Sequence, residues 1–410
     1  MSPPETPPKC NRDTAELPPG FRYSGVSCGI KPSGKPDLAL IVADQPVVAA
    51  GVYTRNQVVA APVVVSQRRT PSTSIRAVVT NSGNANACTG EQGMQDAIAM
   101  GDQVAELLGC SAQDVLIMST GIIGKHLPMD CVQRGIEAAH RELAPTHDSF
   151  LDAAEAIRTT DKDRKTVVHR MELGERSFQI AAMAKGAGMI APNMATMLSV
   201  ILTDAPLTPE SAGVLLQRAA DSSFNRVSVD GHTSTNDTLL LLSSGLSSGS
   251  GAPLEGQELE TFQQELTTTA IELAKKLVAD GEGASHVMAI RIHGAQDEAS
   301  AEAIARSVAA SPLVKTAVTG GDPNWGRIVS AAGNAPAQIT PRKTTLEICG
   351  TTIFRDGCPI AYDESALSKK MKASAEVAIV LKVGDGPGAV EYWASDLTTD
   401  YVEFNSEYTT

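Results

Sequence analysis

The stretch MAKGAGMIAPNMATMLSVILTD, residues 183 to 204, sets Gly186, Gly188 and Pro192 directly before a run that reads as a buried strand. Glycine opens backbone conformations closed to other residues, and proline removes an amide donor and halts a helix. The segment GAGMIA at 186 to 191 is therefore a weak match to a dinucleotide fingerprint, whose glycines must turn a strand into a helix. The acidic residue expected about 20 positions further on is also missing, Asp204 coming too early and Asp221 too late. These glycines lead into a strand instead, and the question is what Ala195–Thr196 does at its mouth.

Two readings of Thr196 stand at this point. One is an ordinary threonine at the start of a strand. In the other, the hydroxyl attacks the carbonyl of Ala195, the amide becomes an ester, and hydrolysis leaves Thr196 as a new chain end. Its α-amine, with an ordinary pKa of about 7.7 to 8.0, can then serve as base for the adjacent hydroxyl. Small residues on the N-terminal side allow the distortion, and a rigid strand on the C-terminal side fixes the hydroxyl.

With 47 acidic against 34 basic side chains, the net charge of −13 and the absence of long Lys/Arg runs argue against a nucleic-acid partner. A composition of 42% hydrophobic, 20% charged and 4% aromatic residues fits an α/β protein, and no apolar run approaches the roughly 18 residues of a membrane span. The seven cysteines lack any C-x-x-C pair, which points away from a zinc site or a disulfide framework and toward a reducing compartment. The Pro-rich, acidic start MSPPETPPKCNRDTAELPPG resembles neither a secretory signal nor a transit peptide, so a cytoplasmic location and a loose arm over residues 1–18 are expected.

From Phe21 the β-rich runs LALIVAD, AAGVYT, VVAAPVVVS and IRAVVTNSG are expected as strands, followed by a helix over about 93 to 109. DVLIMSTGIIGKHLP reads as a strand entering a glycine-punctuated loop, and MDCVQRGIEAAHREL and SFLDAAEAIRTTD as helices. A hairpin turns near Leu173 to Glu175, and Thr208–Pro209 supplies a cap and first helical position for the next helix. The Gly/Ser-rich segment 243–256 is linker-like and precedes a helix with Leu259, Phe262, Leu266, Ala270, Leu273 and Leu277 on one face. The expected organisation is a catalytic α/β unit over 19–284 and a smaller C-terminal α/β domain over 285–410.

The motifs NSGNANACTG (81 to 90), STGIIG (119 to 124), TTD (159 to 161), KGAGMIAPNMATM (185 to 197), SVDGHTSTNDT (228 to 238), DGEGASH (280 to 286), SPLVKTAV (311 to 318), GGDPNWGRI (320 to 328) and the terminal NSEYTT occur in order over nearly the whole chain from about Pro19. Together they resemble the ornithine acetyltransferase family, also called glutamate N-acetyltransferases, which are N-terminal-threonine enzymes. The resemblance implies a layered α/β sandwich of the aminopeptidase-like N-terminal-nucleophile type, self-cleavage between Ala195 and Thr196, and Thr196 as nucleophile. It implies an oxyanion site at Thr120 and Gly121, and substrate contacts at Thr159, Lys185, Thr196, Glu282, Asn405 and Thr410. Lys185 suits a carboxylate and Glu282 an ammonium. His286 departs from the lysine common in relatives, and Asn193 and Met194 fall in a variable part of the motif.

The activity implied is transfer of an acetyl group from N-acetyl-ornithine to glutamate in arginine biosynthesis, with no metal and no cofactor. Some members of the family also use acetyl-CoA as a donor, an amino-acid N-acetyltransferase activity, and the family assembles as a heterotetramer of two cleaved pairs. TSTNDT lacks EF-hand spacing and reads as a hydrogen-bonded turn, and DPNWGR, with Trp325 and Arg327, as a packing cluster. One rival keeps Thr196 and lets water accept the acyl group, as in an N-terminal-nucleophile aminopeptidase or amidase acting on N-acylated amino acids. The other is a nucleotide or amino-acid binding protein built on GAGMIA.

Overall fold

The run TLLLLS at 238 to 243 is apolar on both faces, which a strand satisfies only when the sheet is covered on both sides. The computed structural model describes residues 16–174, 176–191, 197–247 and 251–407. In chain order its strands are β1 (Phe21–Val26), β2 (Leu38–Tyr53), β3 (Ser72–Asn84), β4 (Val115–Ile122), β5 (Lys165–Leu173), β6 (Arg176–Lys185), β7 (Leu198–Thr203), β8 (Val227–Ser228), β9 (Thr238–Ser243), β10 (Val287–Ala295), β11 (Thr345–Ile348), β12 (Thr351–Arg355), β13 (Cys358–Pro359), β14 (Glu376–Lys382) and β15 (Gly388–Ser395). The helices are α1 (Ala61–Gln67), α2 (Gly90–Leu108), α3 (Met129–Arg141), α4 (His147–Ala156), α5 (Pro209–Ser222), α6 (Gly256–Ala279), α7 (Glu298–Ala310), α8 (Pro312–Gly320), α9 (Trp325–Gly333), α10 (Glu364–Ala373) and α11 (Thr399–Glu407).

An eight-stranded sheet runs in the order β4-β3-β2-β9-β7-β6-β5, with β1 paired to β2. Leu239 and Leu241 of β9 join Ile201 of β7 in a core with Phe262, Leu266 and Leu273 of α6, while Leu240 and Leu242 face a core holding Tyr23 and Phe150. Both faces of the central strands are thus dry, as a layered α/β arrangement demands. Helix α5 starts as its sequence requires, with Thr208 accepting the Ser211 N–H and Pro209 at the first position.

A second, seven-stranded sheet has the order β13-β12-β11-β14-β10-β15-β8. Its core gathers Ile290, Ile292, Ile304, Val308, Ile379 and Tyr392. The two-residue β8 pairs with β15 through Val227↔Trp393 and Ala394↔Ser228, so residues well before Ser285 belong to the second sheet.

Two expectations are corrected. VVAAPVVVS is not a strand: Ala61–Gln67 is a helix with Pro62 in its first turn, packed so that Val63, Val65 and Ser66 are buried. Proline in the first helical turn is no obstacle, and burial of the valines outweighs their small helix penalty. LALIVAD and AAGVYT are one strand, β2, whose register shifts between Val42 and Val47 to pass the exposed Asp44-Gln45-Pro46. The hairpin β5–β6 closes with Leu173 opposite Arg176, Glu175 lying outside the described residues. Of the linker-like segment 243–256, Ser243 ends β9 and Gly256 begins α6, and residues 248–250 lie outside the description, as do 1–15 of the arm.

Candidate active site

Sheet register brings the chemistry to one end of the first sheet. Lys185, the last residue of β6, pairs with Leu198, the first of β7, and Leu198 pairs with Thr238, the first of β9. On the far side of β2, Thr120 and Gly121 lie near the end of β4 against Ser82, Gly83 and Asn84 of β3. Asn236 ties these parts together, its amide donating to Ala85 O at 2.6 Å and Ser119 O at 2.8 Å.

A cavity of about 380 Å³ opens at this end. Thr120, Gly121, Thr159, Lys185, Glu282 and Asn405 all line it, although the sequence separates them by up to 285 positions, 405 minus 120. Its volume is that of a site for a small molecule. Ala195, Thr196 and Thr410 lie outside the described residues.

Lys185 is buried and donates from Nζ to Thr120 Oγ1 at 3.0 Å. With that lone pair engaged, the Thr120 proton is free to point at a developing oxyanion. Gly121 has φ +133°, and a Cβ there would stand 2.3 Å from the backbone carbon of Gly83, so no side chain fits. Burial pushes the Lys185 amine below its ordinary range, Lys165 adds to that, and the carboxylates of Asp161, Asp237 and Glu282 oppose it.

Glu282, a carboxylate lining the same cavity, is held by three neighbours. Its Oε1 accepts the Thr160 hydroxyl at 2.7 Å, its Oε2 accepts the Asn405 amide at 3.2 Å, and its own N–H reaches Ala187 O at 2.8 Å. Gly188 makes room for this carboxylate: a Cβ at 188 would lie 2.5 Å from Oε2.

Beneath the cavity floor lies a buried ionic cluster. Asp161 Oδ1 accepts Lys165 Nζ and the Gly186 N–H, each at 2.6 Å, and Oδ2 accepts the Thr159 N–H at 2.9 Å. Lys165 also bonds Asp280 at 2.5 Å, and Asp280 accepts the Lys162 N–H at 3.0 Å. Burial pushes the Asp161 carboxyl up, but Lys185, Lys165 and the Thr159 amide together hold it well below the usual carboxylate range. The cluster thereby fastens the exit of β6, the Thr159 loop and the loop carrying Glu282 to one another.

Asp161 and Thr160 sit inside the TTD motif, so their presence was visible in sequence although their roles were not. Asp230 and Tyr401 also line the cavity; Asp230 stands in the SVDGHTSTNDT motif with no role assigned to it there, and Tyr401 had no such signal. Asp230 is held by the Met189 and His232 N–H groups at 2.8 and 3.0 Å. TSTNDT is a hydrogen-bonded turn, and Trp325 stacks on Phe354 at 5.2 Å while Arg327 reaches Leu313 O at 2.9 Å. His286 bonds Asp396 at 3.1 Å and is not among the cavity-lining residues. GAGMIA leads out of β6, and β7 is the next described element, with no helix between them among the described residues. Among those residues no group of His, Cys, Asp and Glu is placed to hold a metal ion, and no helix is long and apolar enough to cross a membrane.

Comparison with known proteins gives a consistent result. The signature of the ArgJ family matches residues 22–410. The arginine biosynthesis bifunctional protein ArgJ of Rhodopirellula baltica is 56% identical over 395 residues, covering 96% of each chain. The protein so named from Nitratidesulfovibrio vulgaris is 46% identical over 95% of this chain and 98% of its own. A crystal structure of ornithine acetyltransferase complexed with ornithine from Mycobacterium tuberculosis is 38% identical over 47% of this chain and 100% of that one, with a TM-score of 0.42. On the extent and identity of the sequence matches, the chain belongs to the ArgJ family.

Proposed function

We propose that this chain is an ornithine acetyltransferase of arginine biosynthesis, which moves the acetyl group of N-acetyl-ornithine to glutamate through an ester on Thr196. The observation that carries the reading is the single cavity that brings Thr120, Gly121 and Lys185 together with Glu282 and Asn405 at the sheet end where β7 begins. The chain breaks between Ala195 and Thr196, and the freed amine serves as base for the threonine hydroxyl. Thr196 Oγ attacks the acetyl carbonyl, the Thr120 hydroxyl and Gly121 N–H hold the oxyanion, and the C–N bond breaks to release ornithine, whose amine takes the proton. The amine of glutamate then attacks the ester and gives up a proton to the α-amine, which passes it to Thr196 Oγ as the ester C–O bond breaks and N-acetylglutamate leaves. Loss of one oxyanion donor typically costs about 2.7 to 4 kcal/mol of barrier.

Lys185 and Glu282 supply opposite charges for the zwitterionic ends of both substrates, with Thr159, Asn405 and the terminal Thr410 completing the contacts. The enzyme acts in the cytoplasm as a heterotetramer of two cleaved pairs, and a domain boundary falls near Ser285. Acetyl-CoA is the second donor to assay.

Intact-mass measurement and an assay with N-acetyl-ornithine, with and without glutamate, test the reading. Two fragments meeting at Ala195/Thr196 and glutamate-dependent release of ornithine are expected, and Thr196→Ala abolishes both. Uncut native protein with full transfer activity overturns the nucleophile, and release independent of glutamate makes the protein a hydrolase.

A further inference from the structure

Asp37, the residue before β2, is completely buried, and its carboxylate faces the loop that leads into it. Its Oδ1 accepts the Cys28 N–H at 2.7 Å, and its Oδ2 accepts the N–H groups of Gly29, Ile30 and Lys31 at 3.2, 2.7 and 2.9 Å. The Cys28 thiol adds a further bond to the carboxyl, and Lys31 Nζ closes the loop by donating to Pro36 O at 2.6 Å. Consecutive backbone donors from 28 to 31 thus converge on one side chain. The main chain of Asp37 holds the neighbouring strand: its carbonyl accepts the Ser82 N–H at 2.8 Å, and Ser82 stands opposite Thr120 in the pairing of β3 with β4.

What this loop bears against is Gly83. A Cβ on Gly83, whose φ is +97°, would stand 2.9 Å from Lys31 Cγ and 3.3 Å from Ile30 Cγ2. Gly83 pairs with Gly121, and it is the Gly83 backbone carbon that a Cβ on Gly121 would meet at 2.3 Å. Loop, Gly83 and Gly121 therefore form one line of close contact that ends at the cavity wall. Burying a carboxylate is costly unless its partners match those it had in water, and ordering a loop does not by itself call for one. Fixing the place of a backbone donor does, because charge-assisted bonds are roughly twice as strong as neutral ones.

We infer that Asp37 is a positioning residue for the oxyanion site: through Ser82 and the 28–31 loop it fixes Gly83, and through Gly83 the N–H of Gly121. This rests on the proposed role of Thr120 and Gly121 as oxyanion donors. Such a donor has its full effect only when it stands about 2.7 to 3.1 Å from the point where negative charge develops, so its support matters as much as its presence.

Asp37→Asn keeps the shape of the side chain but replaces one acceptor oxygen with an amide donor that faces the N–H groups of the loop. Titration calorimetry with two ligands separates the inferred role from a structural one. Ornithine has no acyl group and reports ground-state binding. The methylphosphonamidate analogue of N-acetyl-ornithine carries a tetrahedral P–O⁻ where the oxyanion forms. The variant is expected to bind the analogue about fivefold or more weaker than wild type, short of the ~10²–10³ of a lost donor, with ornithine affinity within about twofold and stoichiometry unchanged. Both half-reactions pass through an oxyanion, so kcat falls by a similar factor while KM for N-acetyl-ornithine stays within about twofold. Equal weakening of both ligands, a lowered stoichiometry with unchanged affinities, or analogue binding weakened by less than about fivefold overturns the inference, since a merely structural contact leaves the difference between the ligands as it was. If Asp37→Asn does not fold, Ile30→Ala, which keeps the carboxylate and its donors and removes Cγ2 from beside Gly83, is judged by the same outcomes. Thr120→Ala is the reference for a missing donor. Should it bind the analogue as tightly as wild type, the oxyanion reading itself fails; a weakened Thr120→Ala beside an unaffected Asp37→Asn sinks only the role of Asp37.

Discussion

Asp161→Asn is the perturbation that most directly tests the ionic cluster under the site. The wild-type carboxylate is fully buried at its side chain and carries three hydrogen bonds, to Lys165 Nζ, Gly186 N and Thr159 N. Asparagine has nearly the same shape but one acceptor oxygen, so at least one of the two backbone donors loses its partner or faces an amide N–H. It also leaves Lys165 with Asp280 as its remaining carboxylate and removes the nearest negative charge opposing the burial of Lys185. Breaking a buried pair by removing one charge costs about 3 to 5 kcal/mol. At roughly 2 to 4 °C per kcal/mol for domains of 150–250 residues, the melting temperature should fall by about 6 °C or more at pH 7. The pH dependence has a definite sign. Because the folded state holds the Asp161 pKa below its ordinary 3.8, its stabilisation is complete above that value and is lost as the pH falls further, so the gap between variant and wild type narrows only in acid. Calorimetric scans at pH 7 and pH 3 measure both. A loss at pH 7 of less than about 1 kcal/mol would show that the cluster is a break-even arrangement and not what holds the loops together.

Gly188→Ala should raise KM for both amino-acid substrates by about fivefold or more while the melting temperature stays near wild type, since the three atoms nearest its Cβ all belong to the flexible tip of Glu282; unchanged steady-state KM values would refute the placement of Glu282. Asp204→Asn tests a second buried carboxyl, which burial pushes up to about 6 against the pull of the Gln179 amide. A raised carboxyl pKa contributes stability that is complete below about 4 and lost as the pH rises through 6, by no more than about 3 kcal/mol. The variant should therefore gain on wild type in melting scans between pH 4 and pH 8, and a gap that does not change with pH would count against it.

Much of the scaffold was legible because the signals were local. Six apolar residues at three- and four-residue spacing announced α6, and Thr208–Pro209 announced the start of α5. The valines of α1 misled because branched side chains favour strands when nothing else is known, and only contact with neighbouring elements reveals which way they are buried. The break at Asp44-Gln45-Pro46 divided β2 in the sequence, whereas its pairing with β3 and β9 carries the strand through. In the site, glycines and hydroxyls stood out as motifs, but Lys165 meets Asp280 across 115 positions and Met197 meets Asp237 across 40. A buried charge carries no local mark, since what makes it tolerable is a partner from another part of the chain.

The order of strands in the first sheet has a consequence for a chain cut before residue 196. The front fragment would own β2, β3 and β4 on one side and β5 and β6 on the other, while the rear fragment would own β9 and β7 between them. Each half would thus be threaded through the other's hydrogen-bond ladder, at the β2–β9 seam and again at β7–β6. Two polypeptides woven in this way come apart only by dismantling the sheet, so severing the backbone could liberate a reactive terminus without loosening the body that bears it.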